Sequence, residues 1–308
     1  MSKQKAPRIT NMWSKIVDEE KGEWLTKVVL ESTKPYKHGA RNADGRVIFE
    51  GEGVILNMPG GTTEVNDGLL RELIVKQNGK KTVSVEMMLE HPAEFRLTDL
   101  KGFPFRVEIA LNRSSITKLF SGKKIVIDPG HGGEDTGGKG PVSLQEKDVV
   151  IPIAKKLENI LRRVNADVVL TRNGDENITR EKRFALVKQT GADVYIGVHN
   201  RSCDDSNEDG VATLYAPANK QSAILARYVQ EGLVNKLKAA DRGTAEQAEL
   251  AAIGGVPAIE AEVLTITNLV EEVFLRGLTV QKRAAEGIFN GLIKYFAQNG
   301  ANSKGDYS

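Results

Sequence analysis

Apolar residues between about Trp24 and Asn112 occur in short alternating or continuous runs, which are typical of β-strands. Asn78-Gly79 separates two of these runs and predicts a tight hairpin, because both residues tolerate positive φ. The runs are WLTKVVLE, RVIFEGEGVILN, LLRELIVKQ, KKTVSVEMML and FRVEIALN. This pattern predicts an all-β sandwich domain over residues 22–114, preceded by an N-terminal extension at residues 1–21.

The pattern changes after Ser121, where strand-like runs alternate with helical stretches. Apolar residues at helical spacing predict helices over about 149–164, 180–189, 222–237 and 275–296. The intervening strand-like runs are KKIVID, ADVVLTR, ADVYIGVH, GVATLYA and PAIEAEV. Alternating strands and helices predict an α/β domain at residues 123–298, with a mostly parallel sheet flanked by helices. A linker at residues 115–122 precedes it and a tail at residues 299–308 follows it.

The composition of the chain limits the classes of function that are possible. The 308 residues include 43 basic and 41 acidic side chains, a formal net charge of +2, so the chain lacks the strongly basic field typical of nucleic-acid binding. Cys203 is the only cysteine, which excludes an intrachain disulfide. The sequence has no run of membrane-spanning length, and its N-terminus has no apolar core of the kind a signal peptide needs. The oligomeric state stays open.

Four polar residues of the second domain lie beside predicted strand or helix ends. His131 follows the first strand within IVIDPGHGGEDTGGKG, His199 ends VYIGVH, Glu262 lies near the end of PAIEAEV, and Glu146 precedes the first helix. Since the carboxyl ends of parallel strands meet at one edge of a sheet, these side chains can gather there. Two imidazoles, a carboxylate and an open position for water would form a catalytic zinc site. Glycines beside His131 would allow a sharp turn and leave space at the metal.

Each residue also has a simpler interpretation. His131 alone would be a turn residue, Glu146 a carboxylate favoured at a helix N-terminus, and Glu262 a charge on an edge strand. A phosphate-binding loop at residues 129–140 is disfavoured because residues 140–143 separate it from the helix. Cys203 and His199 are poorly spaced for a nucleophile and its base. The two histidines of the first domain, His38 and His91, are expected to be surface or turn residues.

The second domain resembles the zinc-dependent N-acetylmuramoyl-L-alanine amidases of bacterial cell walls. The similarity covers about residues 123–297 and rests on five ordered segments: IVIDPGHGGEDTGGKG, EKD, LTR, ADVYIGVH and PAIEAEVLTITN. The resemblance implies that His131, Glu146 and His199 bind zinc and that Glu262 is catalytic. It also implies a peptidoglycan substrate, a location in the cell envelope, and no cofactor other than Zn²⁺. The bond cleaved would join the lactyl group of N-acetylmuramic acid to the first alanine of the stem peptide.

The first domain is more weakly similar to AMIN, the β-sandwich module that directs many such amidases to the envelope. Two segments depart from the family pattern. The family continues the third motif as His-Ala-Asn, whereas this chain has His199-Asn200-Arg201, and it follows the catalytic glutamate with Leu-Gly-Phe, whereas this chain has Val263-Leu264-Thr265. Both departures leave the ligands intact. They also keep two alternatives open: a non-catalytic peptidoglycan-binding protein of the same fold, and a different envelope zinc hydrolase.

Overall fold

A computed structural model describes residues 5–19, 22–217 and 219–305, with side chains described through residue 299. The chain divides into two compact units, Met1–Ile116 and Thr117–Ser308. Within the described ranges, none of the helices combines the length and apolar character needed to cross a bilayer. The β-rich first unit and the mixed α/β second unit agree with the predicted fold classes.

The first unit consists of two five-stranded sheets. One sheet has the order β5-β1-β2-β10-β9 and the other has the order β3-β4-β8-β7-β6. Apolar residues that alternate along the strands are fully buried, among them Val28, Phe49 and Ile109. The strands are β1 (Arg8–Asp18), β2 (Trp24–Ser32), β3 (Lys37–Ala43), β4 (Arg46–Glu52), β5 (Ile55–Leu56), β6 (Gly61–Glu64), β7 (Leu70–Asn78), β8 (Thr82–Leu89), β9 (Phe95–Leu100) and β10 (Phe105–Asn112).

The hairpin predicted at Asn78-Gly79 is confirmed, because β7 and β8 pair antiparallel and Gly79 has a φ of 66°. The N-terminal extension predicted at residues 1–21 is wrong for residues 8–18. These residues form β1, which pairs with β2 from Ile9 to Asp18. The sequence pattern missed this strand because Ile9 is its only fully buried side chain. Residues 1–4 and 20–21 of that prediction lie outside the described residues.

The second unit has a six-stranded sheet with the order β12-β11-β13-β16-β14-β15. Every neighbouring pair is parallel except β14 with β16, which confirms a mostly parallel sheet. The strands are β11 (Lys124–Pro129), β12 (Asp167–Leu170), β13 (Val194–Arg201), β14 (Val211–Tyr215), β15 (Asp241–Glu246) and β16 (Ala258–Thr265). The helices are α1 (Ser114–Phe120), α2 (Glu146–Arg163), α3 (Arg180–Thr190), α4 (Lys220–Leu237), α5 (Leu269–Leu275) and α6 (Leu278–Gly305), with a 3₁₀ helix at Ala248–Ile253.

Helices cover the central strands of this sheet. The helices α2, α4 and α6 form a contiguous layer, in which α6 contacts both of the others. On the other face, Val126, Tyr195 and Ala258 pack with Phe184 of α3 and Ile253 of the 3₁₀ helix. This burial holds β11, β13 and β16 rigidly side by side. Their carboxyl ends therefore carry the following loops at fixed separations.

Two predicted boundaries of the second unit are wrong. The linker predicted at residues 115–122 contains most of α1, and Phe120 at its end is buried against the rings of Phe289 and Phe296. The tail predicted at residues 299–308 is helical through Gly305, because α6 continues past Asn299-Gly300 without a break. Residues 306–308 lie outside the described residues.

Candidate metal centre and active site

His131 lies in a glycine-rich loop directly after β11. Gly130 extends the strand pairing, since its N–H donates to the Val198 carbonyl oxygen at 3.0 Å. His131 then adopts a φ of 60°, a left-handed conformation that is uncommon for a residue with a side chain. The turn directs its imidazole to Asp135, whose Oδ2 lies 2.9 Å from Nδ1. Such a carboxylate fixes the ring orientation and leaves Nε2 available as a ligand.

Two buried arginines hold this loop in place. Arg183 of α3 donates to the carbonyl oxygens of Pro129 at 2.9 Å and His131 at 2.6 Å, and it also pairs with buried Asp128. Arg172, just after β12, donates to the carbonyl oxygens of Pro129 at 2.8 Å and Gly130 at 2.6 Å. These bonds occupy the loop carbonyls and offset the left-handed turn at His131. Arg172 lies within the segment LTR, but the sequence pattern indicated no role for either arginine.

Glu146, the first residue of α2, is the centre of the cluster and is only 3% exposed. Its Oε2 accepts from the Gly138 N–H at 2.9 Å and lies 3.2 Å from His131 Nε2. Its Oε1 accepts from the Asn200 N–H at 2.8 Å and lies 3.1 Å from His199 Nδ1. Each carboxylate oxygen thus has one backbone donor and one imidazole. The side chain is held in a single orientation between the two histidines.

The glycines of the loop are required by the closeness of these ligands. A Cβ added at Gly130 would lie 2.2 Å from Cε1 of His199, and one at Gly137 would lie 2.5 Å from Cδ2 of His131. The rings of His131 and His199 are 5.1 Å apart and nearly perpendicular. The sequence predicted that the glycines beside His131 allow a turn and leave space at the metal. The structure shows that Gly130 and Gly137 make room for the imidazoles of His199 and His131.

The charge of the cluster favours a cation. Burial lowers the pKa of His199, but the carboxylates of Glu146, Glu260 and Asp128 outweigh it and raise that pKa to about 9. Burial raises the pKa of Glu146, but the two imidazoles outweigh it and the net pKa is lowered. A site that stabilises protonated imidazoles is a site of negative potential, which also attracts a metal ion.

The donor set fits a metal ion. One ligand atom from each of His131, Glu146 and His199 lies within 4.8 Å of the other two. Two imidazole nitrogens and a carboxylate oxygen are a common set for a catalytic zinc, which retains an open position. The three predicted ligands, separated widely in sequence, therefore converge into a group that could hold a metal.

Glu262 lies beside this group on β16. It is paired with His199 across the sheet, and Glu260 is paired with Gly197, so both glutamates project from the same face. Oε2 of Glu262 is buried and has no hydrogen-bond partner among the residues that the structure describes. Burial raises the pKa of the Glu262 carboxyl, although Arg201 and His199 act to lower it. Glu260 is 6% exposed, and its nearest polar partner is Gln247 Nε2 at 3.5 Å.

The two segments that depart from the family pattern each make specific contacts near the site. Asn200 supplies a backbone N–H to Glu146, a contact that does not depend on its side chain. Arg201 ends β13 and reaches Glu208 and Glu262. In the second segment Thr265 is buried, and its N–H donates to Glu271 at 2.7 Å. Neither departure displaces a predicted ligand.

The remaining sequence candidates lie elsewhere. His38 is not the surface or turn residue that was expected, because its side chain is 9% exposed, Nε2 lies 2.9 Å from Asp99 and Nδ1 contacts the Tyr36 carbonyl oxygen. His91 follows β8 in the first unit. Cys203 is half-buried, with Sγ 3.6 Å from Thr267 Oγ1, so the structure offers no pairing with His199.

Comparison with known proteins agrees with this geometry. Residues 125–294, more than half of the chain, match the N-acetylmuramoyl-L-alanine amidase family. The chain belongs to that family.

Individual relatives come from several bacteria. The chain is 29% identical to the probable cell wall amidase LytH of Staphylococcus epidermidis over 199 residues, which cover 64% of this chain and 66% of LytH. It is 25% identical to the N-acetylmuramoyl-L-alanine amidase AmiC of Escherichia coli, over 88% of this chain and 87% of AmiC. A crystal structure of N-acetylmuramoyl-L-alanine amidase from Clostridium difficile 630 superposes with a TM-score of 0.55 at 33% identity, covering 57% of this chain and 97% of that one.

Proposed function

We propose that this protein is a zinc-dependent cell-wall amidase that hydrolyses the bond between N-acetylmuramic acid and the first alanine of the stem peptide. The observation that carries the proposal is the convergence of His131, Glu146 and His199 beside a buried carboxylate, Glu262, in a member of the amidase family. Relatives named as cell wall amidases support the same substrate and a location in the cell envelope.

His131, Glu146 and His199 would hold the zinc. When bound, zinc polarises the scissile carbonyl and lowers the pKa of a water molecule towards about 7. The protein holds all three proposed ligands in fixed positions before a substrate binds. Asp135 orients His131, two backbone N–H groups orient Glu146, and the strand β13 carries His199. Such preorganisation keeps the reacting groups within the small tolerance that hydrolysis needs.

Glu262 acts as the general base and acid. Its unpartnered Oε2 can accept a proton from the attacking water and return it to the departing alanine nitrogen. Its raised pKa moves the carboxyl towards the pH at which a group both takes and gives a proton efficiently. Glu260, more buried on the same strand face, contributes to the negative potential at His199.

The first unit serves as an AMIN-like targeting domain that binds the cell wall. Its two sheets are complete without any residue of the second unit, and the family match begins only at residue 125. The alignment with AmiC covers 88% of the chain, so it extends into this unit.

The test is the identity of the bond cleaved. The purified full chain with zinc is incubated with cell-wall sacculi, and new alanine amines, new reducing sugar ends and released acetate are measured. An amidase releases stem peptides with a free alanine amine only. Acetate release would identify a deacetylase, amines of other residues a peptidase, and sacculus binding without any product a non-catalytic binder. Each of these three results contradicts the proposal.

A further inference from the structure

Arg201 occupies an unusual position at the active site. It ends β13 two residues after His199, and Nη1 lies 4.0 Å from Oε2 of Glu262. Its Nη2 donates to Glu208 at 2.7 Å, which anchors one side of the guanidinium. The side chain is 33% exposed, so the group lies at the surface of the site. Arg201 therefore presents a fixed positive charge beside the proposed general base.

Part of the Arg201 guanidinium forms no hydrogen bond with the described residues of the protein. Nε of Arg201 is buried, yet it has no hydrogen-bond partner within the described ranges, and the same is true of Oε2 of Glu262. The 4.0 Å separation of Nη1 from this oxygen is too long for a hydrogen bond. Buried polar groups without partners are costly, and at a functional site they are typically completed by a ligand. Nη1 of Arg201 is the donor that lies beside the proposed base, 4.0 Å from Oε2 of Glu262, whereas the buried Nε is closed to a substrate.

The chemistry of these donors points to a carboxylate. The planar fork of arginine binds carboxylates through two parallel hydrogen bonds, and such charge-assisted bonds are about twice as strong as neutral ones. Arg201 carries its positive charge beside Glu262, at the rim of the site, so an anionic part of the substrate can bind there.

Stem peptides of peptidoglycan carry such a group next to the scissile bond. The residue after the first alanine is a glutamate joined through its side chain, so its α-carboxyl group is either free or amidated. We propose that Arg201 binds this free carboxylate and makes the protein selective for stem peptides that are not amidated there. The inference rests on the proposed function, because it assumes a muramoyl-peptide substrate.

The test compares two substrates that differ only in this group. Synthetic muramoyl peptides with a free carboxylate or a carboxamide on the second residue are given to the full chain with zinc, and kcat and KM are measured separately. Affinity for both peptides is measured by calorimetry on Glu262→Gln. The wild-type protein should prefer the carboxylate by about 10- to 100-fold in kcat/KM, mainly through KM. Arg201→Gln should abolish the preference, mainly by raising KM for the carboxylate substrate, whereas the loss of its charge beside Glu262 should change kcat on both substrates alike. Arg201→Lys should restore part of the preference.

A matched control is Arg242→Gln. Arg242 has similar exposure, 36%, and is also paired with one acidic residue, Asp209, but lies on β15 outside the site. It should keep the wild-type preference. An unchanged ratio of kcat/KM between the two substrates in Arg201→Gln would mean that Arg201 does not bind the carboxylate, and would overturn the inference while leaving the amidase activity in place. Arg201-dependent binding of the carboxylate peptide without hydrolysis of either substrate would overturn the proposed activity and retain the inference. The absence of binding and of hydrolysis would overturn both.

Discussion

Glu262 and His199 are paired in register on the neighbouring parallel strands β16 and β13. Both strands are central in the sheet, and the residues around the pair are buried on either side. The separation between a proposed metal ligand and the proposed base is therefore set by the sheet and not by a loop. Close-packed strands of this kind deform little, which keeps the spacing well defined.

Glu262→Gln should retain zinc and lose turnover by about 10²- to 10⁴-fold, the effect expected when a general base is removed. The amide is similar in size to the carboxyl but cannot accept the proton from water. Metal content by mass spectrometry and hydrolysis of a soluble muropeptide provide the two measurements.

The neighbouring carboxylate is the control for that variant. Glu260 projects from the same strand face but lies deeper, and its nearest polar partner is Gln247. Glu260→Gln should lose less activity than Glu262→Gln, through positioning or stability. Near-normal turnover in Glu262→Gln would assign the base to another residue.

Zinc binding should depend on the two histidines together. His131→Ala leaves two protein ligands and should lose most of the metal, and the double variant with His199→Ala should lose it all. Zinc per chain after gel filtration is the measurement, and chelation of the wild-type protein should abolish hydrolysis. His91→Ala, in the first unit, is the control and should bind one zinc. Stoichiometric zinc in the double variant would show that the ion binds elsewhere.

Gly130→Ala should weaken the metal site without replacing any proposed ligand. The new Cβ would lie 2.2 Å from the His199 ring, which must move to accommodate it. Overpacking of this kind costs about 1–3 kcal/mol. We expect a lower melting temperature and lower zinc affinity in competition with a chelator. Gly255→Ala is the matched control, because a Cβ there would meet nothing within 4 Å. Equal zinc affinity in the two variants would contradict the close approach at Gly130.

The convergence of His131, Glu146 and His199 could be predicted because His131 follows a strand, His199 lies near the carboxyl end of a strand and Glu146 opens a helix, each with a clear apolar pattern. The residues that position the ligands could not be predicted in the same way. Asp135 contacts His131 four residues away within a loop that has no periodicity, and Arg183 reaches that loop from the distant helix α3. Only the folded chain brings these groups together.

The missed strands have a similar explanation. β3 and β6 have no fully buried side chain, and β15 is exposed along most of its length. Strands at the edges of sheets need little apolar surface, so their sequences carry no alternating signal. β1 lies second in its sheet, yet Ile9 is its only fully buried side chain, so its sequence also carries no alternating signal.

A fragment that starts at Ser114 should hydrolyse soluble muropeptide but bind sacculi more weakly than the full chain. It retains α1 and so keeps Phe120 packed on Phe289 and Phe296. The related structure from Clostridium difficile is covered over 97% of its length by 57% of this chain, which indicates that such a unit folds alone. A pull-down with sacculi measures binding. Equal binding by fragment and full chain would contradict a targeting role for the first unit.

Glu272 should stabilise the loop before α2 in a pH-dependent way. Its side chain is fully buried and accepts from the N–H groups of Val142 at 2.6 Å and Leu144 at 2.9 Å, besides pairing with Arg276 at 2.8 Å. Burial raises its pKa, but these bonds outweigh it and hold the pKa below its ordinary value of 4.5. A carboxyl whose pKa is lowered in the folded state stabilises that state above pH 4.5. This contribution is lost as the pH falls through the folded-state pKa.

Glu272→Gln should therefore be less stable than wild type near pH 7, by about 1–3 kcal/mol for the lost charged acceptor. The difference in stability between Glu272→Gln and the wild-type protein should become smaller below pH 4.5. Thermal unfolding at pH 7, 5 and 3.5 measures this difference. The control is Glu158→Gln, which removes the ion-pair partner of the exposed Arg162. A difference that is constant across these pH values would contradict the linkage.

The topology of the first unit has a consequence for how the protein is made. Its sheet β5-β1-β2-β10-β9 joins the earliest strands of the chain to the last two of the unit, and β2 pairs directly with β10. A nascent chain cannot complete this sheet until Phe105–Asn112 has left the ribosome or emerged from a translocation pore. β2 therefore lacks one of its two neighbouring strands until about eighty further residues have been synthesised. Such an incomplete sheet makes this unit a candidate substrate for chaperones during synthesis. Its contacts are long-range in sequence, so its folding should also be slow compared with that of a helical domain of equal size.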